Sequence, residues 1–202
     1  MRQQRLIAGA ALVWVLLVGG GWWLLTDYAT RPAPVGAVPD AWPAHAELAP
    51  PAGRASLVML AHPRCPCTRA SLHELERIMA RAGERLQAHV LFYRPPQEPD
   101  AWAHTDLWRL AAAIPGVTPH VDPDGRNAGR FGALASGQVV LYGPDGRLLF
   151  HGGITAGRGH EGLNAGRQAI LAYVRDGAPD APQAPVYGCF IRGEVRSDSL
   201  GA

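Results

Sequence analysis

Two cysteines separated by a single residue stand in the stretch His62-Pro63-Arg64-Cys65-Pro66-Cys67-Thr68-Arg69-Ala70-Ser71, and a third lies far downstream in Val186-Tyr187-Gly188-Cys189-Phe190. Thiols this close can do two kinds of chemistry. As thiolates they attack disulfides, and as soft donors they hold a metal such as Cu(I). The flanking sequence says where they sit. Upstream, Leu57-Val58-Met59-Leu60 is an apolar run that suits a strand buried on both faces. Downstream, Leu72, Leu75, Ile78, Met79 and Ala82 recur at helical spacing, and Gly83 is a natural stop. The pair therefore falls at a strand-to-helix junction, where the unpaired N–H groups and the positive end of the helix favour thiolate over thiol. Arg64 and Arg69 add positive charge nearby.

A disulfide between Cys65 and Cys67 would close a small, strained ring across Pro66, and strain makes such a bond labile and oxidising. An odd third cysteine in an exported chain wants a partner. Three readings compete for Cys189: it is free while Cys65 and Cys67 pair; it folds back to pair with one of them as a cover or resolving thiol; or all three bind one metal with a histidine. Its apolar neighbours favour a tail docked on the domain. His62, at the strand end, is a candidate to stabilise a thiolate, move a proton or join Cys65 and Cys67 on a metal, against a plain backbone-bonded role. His73, His89, His104 and His120 read as surface or packing residues, and Glu74 and Glu76 as the solvated side of the first helix. The loop between His151 and His160, Gly152-Gly153-Ile154-Thr155-Ala156-Gly157-Arg158-Gly159, lacks a phosphate-binding fingerprint, so nucleotide binding is not expected.

These residues must be positioned by the rest of a 202-residue chain, enough for one well-filled core plus appendages. The formal charge of +2 and the lack of a basic stripe argue against a nucleic-acid partner. Residues 1–27 read as a membrane anchor. Arg2 and Arg5 precede an uncharged stretch from Leu6 to Leu25, matching the roughly 20 residues that span a bilayer, with Trp22 and Trp23 at its end. A cleaved signal peptide, with a small-residue site near Val35-Gly36-Ala37, is the rival reading. Residues 28–54 are a Pro-rich linker, expected to hold the domain away from the membrane, with Trp42 packed on the domain. Residues 55–178 form the domain and 179–202 a tail carrying Cys189.

The domain reads β-α-β-α-β-β-α. Strands are expected near Ser56 to Ala61, Ala88 to Tyr93 and Val117 to Val121, the last weakened by Pro119. A hairpin is expected from Gln138 to Tyr142 and Arg147 to His151, around Gly143-Pro144-Asp145-Gly146. Helices are expected near Cys67 to Ala82, Thr105 to Ala113, Arg126 to Phe131 and Gly162 to Asp176. The alternation predicts an α/β fold with a mixed sheet between helices.

A strand, two close cysteines and the first turn of a helix resemble the active-site layout of the thioredoxin superfamily, over roughly Ser56 to Gly177. More narrowly, the HPxCPCxRAS string is similar to that of the membrane-anchored, thioredoxin-like bacterial proteins labelled RedB. The resemblance implies a thioredoxin-like domain and Cys65 as the attacking cysteine, with Cys67 resolving and His62, Pro66 and Arg69 in support. It implies protein thiols or disulfides of the cell envelope as partners and no cofactor, while the arginines before the span imply a single-pass place in the inner membrane with the N-terminus cytoplasmic and the domain periplasmic. Phe131 to Tyr142 resembles the segment where most of that superfamily has a cis-proline facing the cysteines. Here the equivalent positions are Ser136 and Gly137, a departure that leaves metal binding open. The alternatives are therefore a copper-binding metallochaperone similar to the Sco-type proteins, with Cys65, Cys67 and His62 as ligands, and a non-catalytic assembly factor on the same scaffold.

Overall fold

The computed structural model of the chain describes residues 2–49 and 52–191. Pro50 and Pro51 of the expected linker and residues 192–202 of the expected tail lie outside them. The first element, α1 (Arg2–Thr30), is a helix long and apolar enough to cross a membrane. Its large side chains, among them Leu6, Trp14, Leu17, Trp22 and Leu25, are exposed rather than packed on the domain.

The domain is built on five strands: β1 (Ala55–Ala61), β2 (Leu86–Arg94), β3 (Val117–Pro123), β4 (Gln138–Tyr142) and β5 (Leu148–Gly153). Their spatial order is β3-β2-β1-β4-β5. The β1–β2 and β2–β3 pairs are parallel, and β1–β4 and β4–β5 antiparallel. All seven residues of β1 are buried, because it is the centre of a sheet covered on both faces. Leu57 and Met59 face one core, with Val90, Phe92, Val139 and Leu141. Val58 and Leu60 face the other, with Phe131, Val140 and Tyr142. Pro119 is tolerated because β3 is an edge strand that pairs only with β2.

Helices α2 (Pro66–Ala82), α3 (Asp106–Ala113) and α5 (Ala165–Asp176) supply the first core. Pro66 begins α2, where its missing N–H costs nothing. The last helix starts later than its apolar pattern suggests: Asn164 caps it by accepting from the Arg167 N–H at 2.8 Å. The second face carries only the short α4 (Arg126–Arg130), whose first turn is held by Asp122 accepting from Asn127 and Ala128 N–H, each at 2.9 Å.

The rest of that face is covered by the Pro-rich segment, which does not stand off from the domain. Trp42 packs edge-on against Phe131 and Tyr142, with centroids 5.0 and 5.4 Å away, and Leu48 is buried with them. The Trp42 N–H donates to Gly146 O at 2.8 Å, and Leu148 N–H to Asp40 O at 2.8 Å. A proline-rich composition leaves the backbone extended, and an extended backbone can lie on a sheet as readily as bridge a gap. Glu74 also departs from expectation. It is fully buried between α2 and α5, paired with Arg77 and Arg167 and accepting the Gly162 N–H at 2.8 Å. Glu76 is exposed.

Candidate active site

Cys65 ends the connection from β1 and forms the N-cap of α2 in an extended conformation, and Cys67 lies in the first turn. The third cysteine reaches them through the tail. After α5, residues 182–184 run along the free edge of β5: His151 N–H donates to Pro182 O at 3.0 Å, and Ala184 N–H to His151 O at 3.2 Å. Gly152 and Gly153 permit this approach, since a Cβ there would meet Ala184 O at 2.3 Å and Pro185 O at 2.6 Å. The tail then crosses to the loop before β4, where Ser136 N–H donates to Cys189 O at 2.9 Å. A Cβ on Gly188 would lie 1.7 Å from Ser136 O, so glycine is needed there. The outcome is that the sulfurs of Cys65, Cys67 and Cys189 all lie within 4.8 Å of one another.

The loop before β4 is tied to the cysteines by hydroxyls. Ser136 Oγ accepts from the His62 N–H at 3.1 Å and lies 2.7 Å from Thr68 Oγ1, while Thr68 Oγ1 donates to His62 O at 2.9 Å. Thr68 has a single proton, given to His62 O, so Ser136 is the donor between the two hydroxyls. Gly137 N–H donates to Leu60 O at 2.8 Å. Gly137 takes φ +84°, and a Cβ there would meet Ser71 Oγ at 2.6 Å. The peptide bonds at Ser136 and Gly137 are trans. A buried hydroxyl clamp and a left-handed glycine thus stand at Ser136 and Gly137, the positions where the sequence itself departs from the superfamily's cis-proline.

The electrostatics separate the three thiols. The Cys65 thiol is pushed down to about 5, chiefly by the Cys67 thiol beside it, with further help from the Cys67 and Thr68 amides and the Cys189 thiol. Burial opposes this and loses. Cys67 is raised, first because it holds its proton toward Cys65 and then by burial. Cys189 is raised by burial and by the Cys65 charge, with Arg158 acting in the opposite sense. The helix-start amides therefore act as the sequence suggests, but the flanking arginines are engaged elsewhere. Arg64 lies over the Trp102 ring, 4.5 Å from its centroid, and Arg69 pairs with Asp106.

His62 is held beside Cys65 without joining the sulfur group. Its ring stacks on Tyr93 and meets Trp102 edge-on, and its Nδ1 accepts from the Arg64 N–H at 3.2 Å. Burial lowers its pKa, against the opposing pull of the Cys65 charge. His89 and His120 are remote from the cysteines on the β2–β3 side and face each other, Nδ1 to Nε2, at 3.0 Å.

Two residues of the site were not picked out in the sequence. Thr68, fully buried, carried a usable signal: it lies three residues after Cys65, in the first turn. Arg158 carried none. It sits in the glycine-rich loop, yet its Nη1 donates to Gly188 O at 2.5 Å and lies 3.9 Å from Cys189 Sγ. It also anchors the end of α1, donating to Tyr28 O at 3.1 Å from Nε and to Ala29 O at 2.9 Å from its backbone.

No protein-family model matches the chain, and no curated protein matches it. Solved structures do. A hypothetical protein from Sinorhizobium meliloti 1021 superposes with a TM-score of 0.59 at 21% identity, covering 80% of this chain and 98% of that one. An uncharacterized conserved protein from Geobacillus kaustophilus gives 0.57 at 17% identity, covering 83% and 93%. The pneumococcal exposed lipoprotein thioredoxin Etrx1 from Streptococcus pneumoniae superposes more loosely, at 0.44 and 18% identity, covering 61% and 85%. With the strand order and the helix-start cysteines already in place, the fold is a thioredoxin-like mixed sheet flanked by helices and preceded by one helix able to span a membrane.

Proposed function

We propose that this chain is a membrane-tethered thiol–disulfide oxidoreductase of the bacterial envelope, with Cys65 as nucleophile. The observation that carries it is the cluster of three sulfurs at the start of α2, with Cys65 alone favoured as thiolate. The thiolate attacks one sulfur of a client disulfide. A Cys65–client mixed disulfide forms, and the other client sulfur leaves as a thiolate and takes a proton from water. A second thiol of the cluster then displaces the client. Two electrons pass from the dithiol to the client, and the same steps in reverse oxidise a client dithiol. The N-terminal arginines put the start of the chain in the cytoplasm and the domain in the periplasm. The anchor is retained rather than cleaved, and the HPxCPCxRAS string groups the chain with RedB-type proteins.

The test uses the full chain in detergent micelles with a peptide disulfide. Cys65→Ser is expected to abolish exchange; exchange at the full rate in that variant would overturn the assignment.

A second reading is favoured by the same three sulfurs. The three lie within 4.8 Å of one another, close enough to share one soft ion, and thiolate ligands select Cu(I). Cys65, Cys67 and Cys189 would be the ligands, with Cys189 in the place first considered for His62. The reduced full chain would then retain one equivalent of Cu(I) against a competing chelator. Complete removal of the copper at micromolar free metal would discard this reading.

A further inference from the structure

We propose that Cys189 is the thiol that resolves the Cys65 mixed disulfide, delivered by a tail that docks as a strand against the loop before β4. The inference rests on the oxidoreductase reading and adds which sulfur completes the cycle.

Three observations carry it. The first is the docking itself. Ser136 N–H donates to Cys189 O at 2.9 Å, Ile191 N–H donates to Leu134 O at 3.2 Å, and Ala135 and Phe190 form an antiparallel bridge. Phe190 and Ile191 reach a cavity of about 240 Å³ shared with Leu60, Ala133 and Leu134. The tail thus lies against the site by the backbone pairing and apolar seating that an extended peptide uses on a sheet edge. Cys189 meets Cys65 as the cysteine of a bound chain would.

The second is the geometry of the alternative. Cys65 and Cys67 flank Pro66, whose ring fixes φ, and Cys67 is already wound into the first helical turn. A bond between them closes a small ring on a stiff backbone. A bond from Cys65 to Cys189 joins two separate segments, and the tail can adjust to it. The third is the charge beside Cys189. Arg158 Nη1 lies 3.9 Å from Cys189 Sγ, so a cation is in place for the attacking thiolate.

In the cycle, an incoming client displaces the tail from Leu134–Ser136 and reacts with Cys65. The tail returns, Cys189 gives up its proton, and its thiolate attacks Cys65 Sγ. The bond from Cys65 to the client breaks, the client sulfur leaves as a thiolate and is protonated, and the Cys65–Cys189 disulfide forms. An external dithiol then reduces that bond and is itself oxidised to a disulfide. Cys67 remains the thiol that steadies the Cys65 thiolate.

The test is a time course on the reduced full chain in micelles. A peptide disulfide is added, and samples are acid-quenched, alkylated and digested with trypsin. Cleavage after arginine puts Cys65 and Cys67 in peptide 65–69 and Cys189 in peptide 176–192, so the two bonds differ in mass. The wild type and Cys67→Ala are both expected to join these two peptides. Cys189→Ser is expected to accumulate the Cys65–client species and to clear it at least about tenfold more slowly. Gly188→Val keeps all three thiols but drives its Cβ into Ser136 O, so it should slow the crosslink. A bond found only within peptide 65–69, with Cys189 alkylated and Cys189→Ser clearing the mixed species at the wild-type rate, would overturn the inference. That result with an inactive Cys65→Ser sinks only the role of Cys189, whereas an active Cys65→Ser sinks Cys65 as the nucleophile, and a wild type that catalyses no exchange sinks the oxidoreductase reading itself.

Discussion

Replacing Cys67 with alanine should change the pH profile of Cys65 far more than its reactivity at neutral pH. The ordinary thiol value of 9.0 falls to about 5 at Cys65, with the Cys67 thiol as the largest cause. At pH 7 that converts a group about 1% ionised into one about 99% ionised, a gain of about a hundredfold in thiolate. Intrinsic nucleophilicity falls with pKa at a Brønsted slope of about 0.4–0.5, and four pH units then cost about 40–100-fold. The two effects nearly cancel, so a single rate at pH 7 is a poor probe. The midpoint of the rate against pH is a good one. A hydrogen bond to an anion is worth about 1.5–3 kcal/mol, and a thiol is a weak donor, so losing Cys67 should raise the midpoint by about one pH unit. The assay is iodoacetamide alkylation of the reduced full chain from pH 4 to 10, followed by peptide mass, with Cys65 resolved from Cys67 by fragmentation. A wild-type midpoint near 9, or a midpoint that does not move in Cys67→Ala, would refute the reasoning. The same depression links to stability. A folded-state pKa below the unfolded value adds stability that is complete above about pH 9 and is lost as the pH falls to about 5. The reduced protein should therefore weaken over that window more than Cys65→Ser does in urea unfolding.

Three further outcomes follow from the framework around the cysteines. Glu74→Ala strands Arg167, whose side chain is only 15% exposed, and should cost about 3–5 kcal/mol in urea unfolding; a loss under 1 kcal/mol would show the pair to be dispensable. Gly137→Ala places a Cβ against Ser71 Oγ at a left-handed position and should cost about 1–3 kcal/mol by the same measurement, with no cost expected if that backbone relaxes freely. Ser136→Ala removes the acceptor of the His62 N–H and the donor to Thr68, and should cost about 1–3 kcal/mol. Unchanged stability there would mean that the hydroxyl clamp does not hold the loop.

Much of this architecture was legible in residue order because it rests on local patterns. The apolar run before Cys65 and the 3.6-residue spacing after it place the cysteine pair at a strand–helix junction, and the glycine and proline breaks mark the other elements. The edge position that makes Pro119 acceptable in β3 was not legible, because strand order is decided by which strands meet. Glu74 sits at a spacing that reads as solvated until α5 is brought across it with Arg167. The Pro-rich segment reads as a spacer because its composition fixes only an extended backbone, not where that backbone lies.

The amino-acid order alone determined that two thiols share one helix start, that an apolar helix able to span a bilayer precedes the domain, and that the sheet is mixed. The tertiary structure decided what surrounds the thiols. It brought Cys189 to Cys65 from more than a hundred residues away, set Arg158 beside it, and exchanged the expected charge of Arg64 and Arg69 for the Cys67 thiol as the main cause of the Cys65 thiolate. The physical reason is the range of the interactions. Helical and strand periodicity is written within a few neighbours, whereas a sulfur's ionisation depends on donors within a few ångströms in space, and those are assembled only when the chain closes on itself.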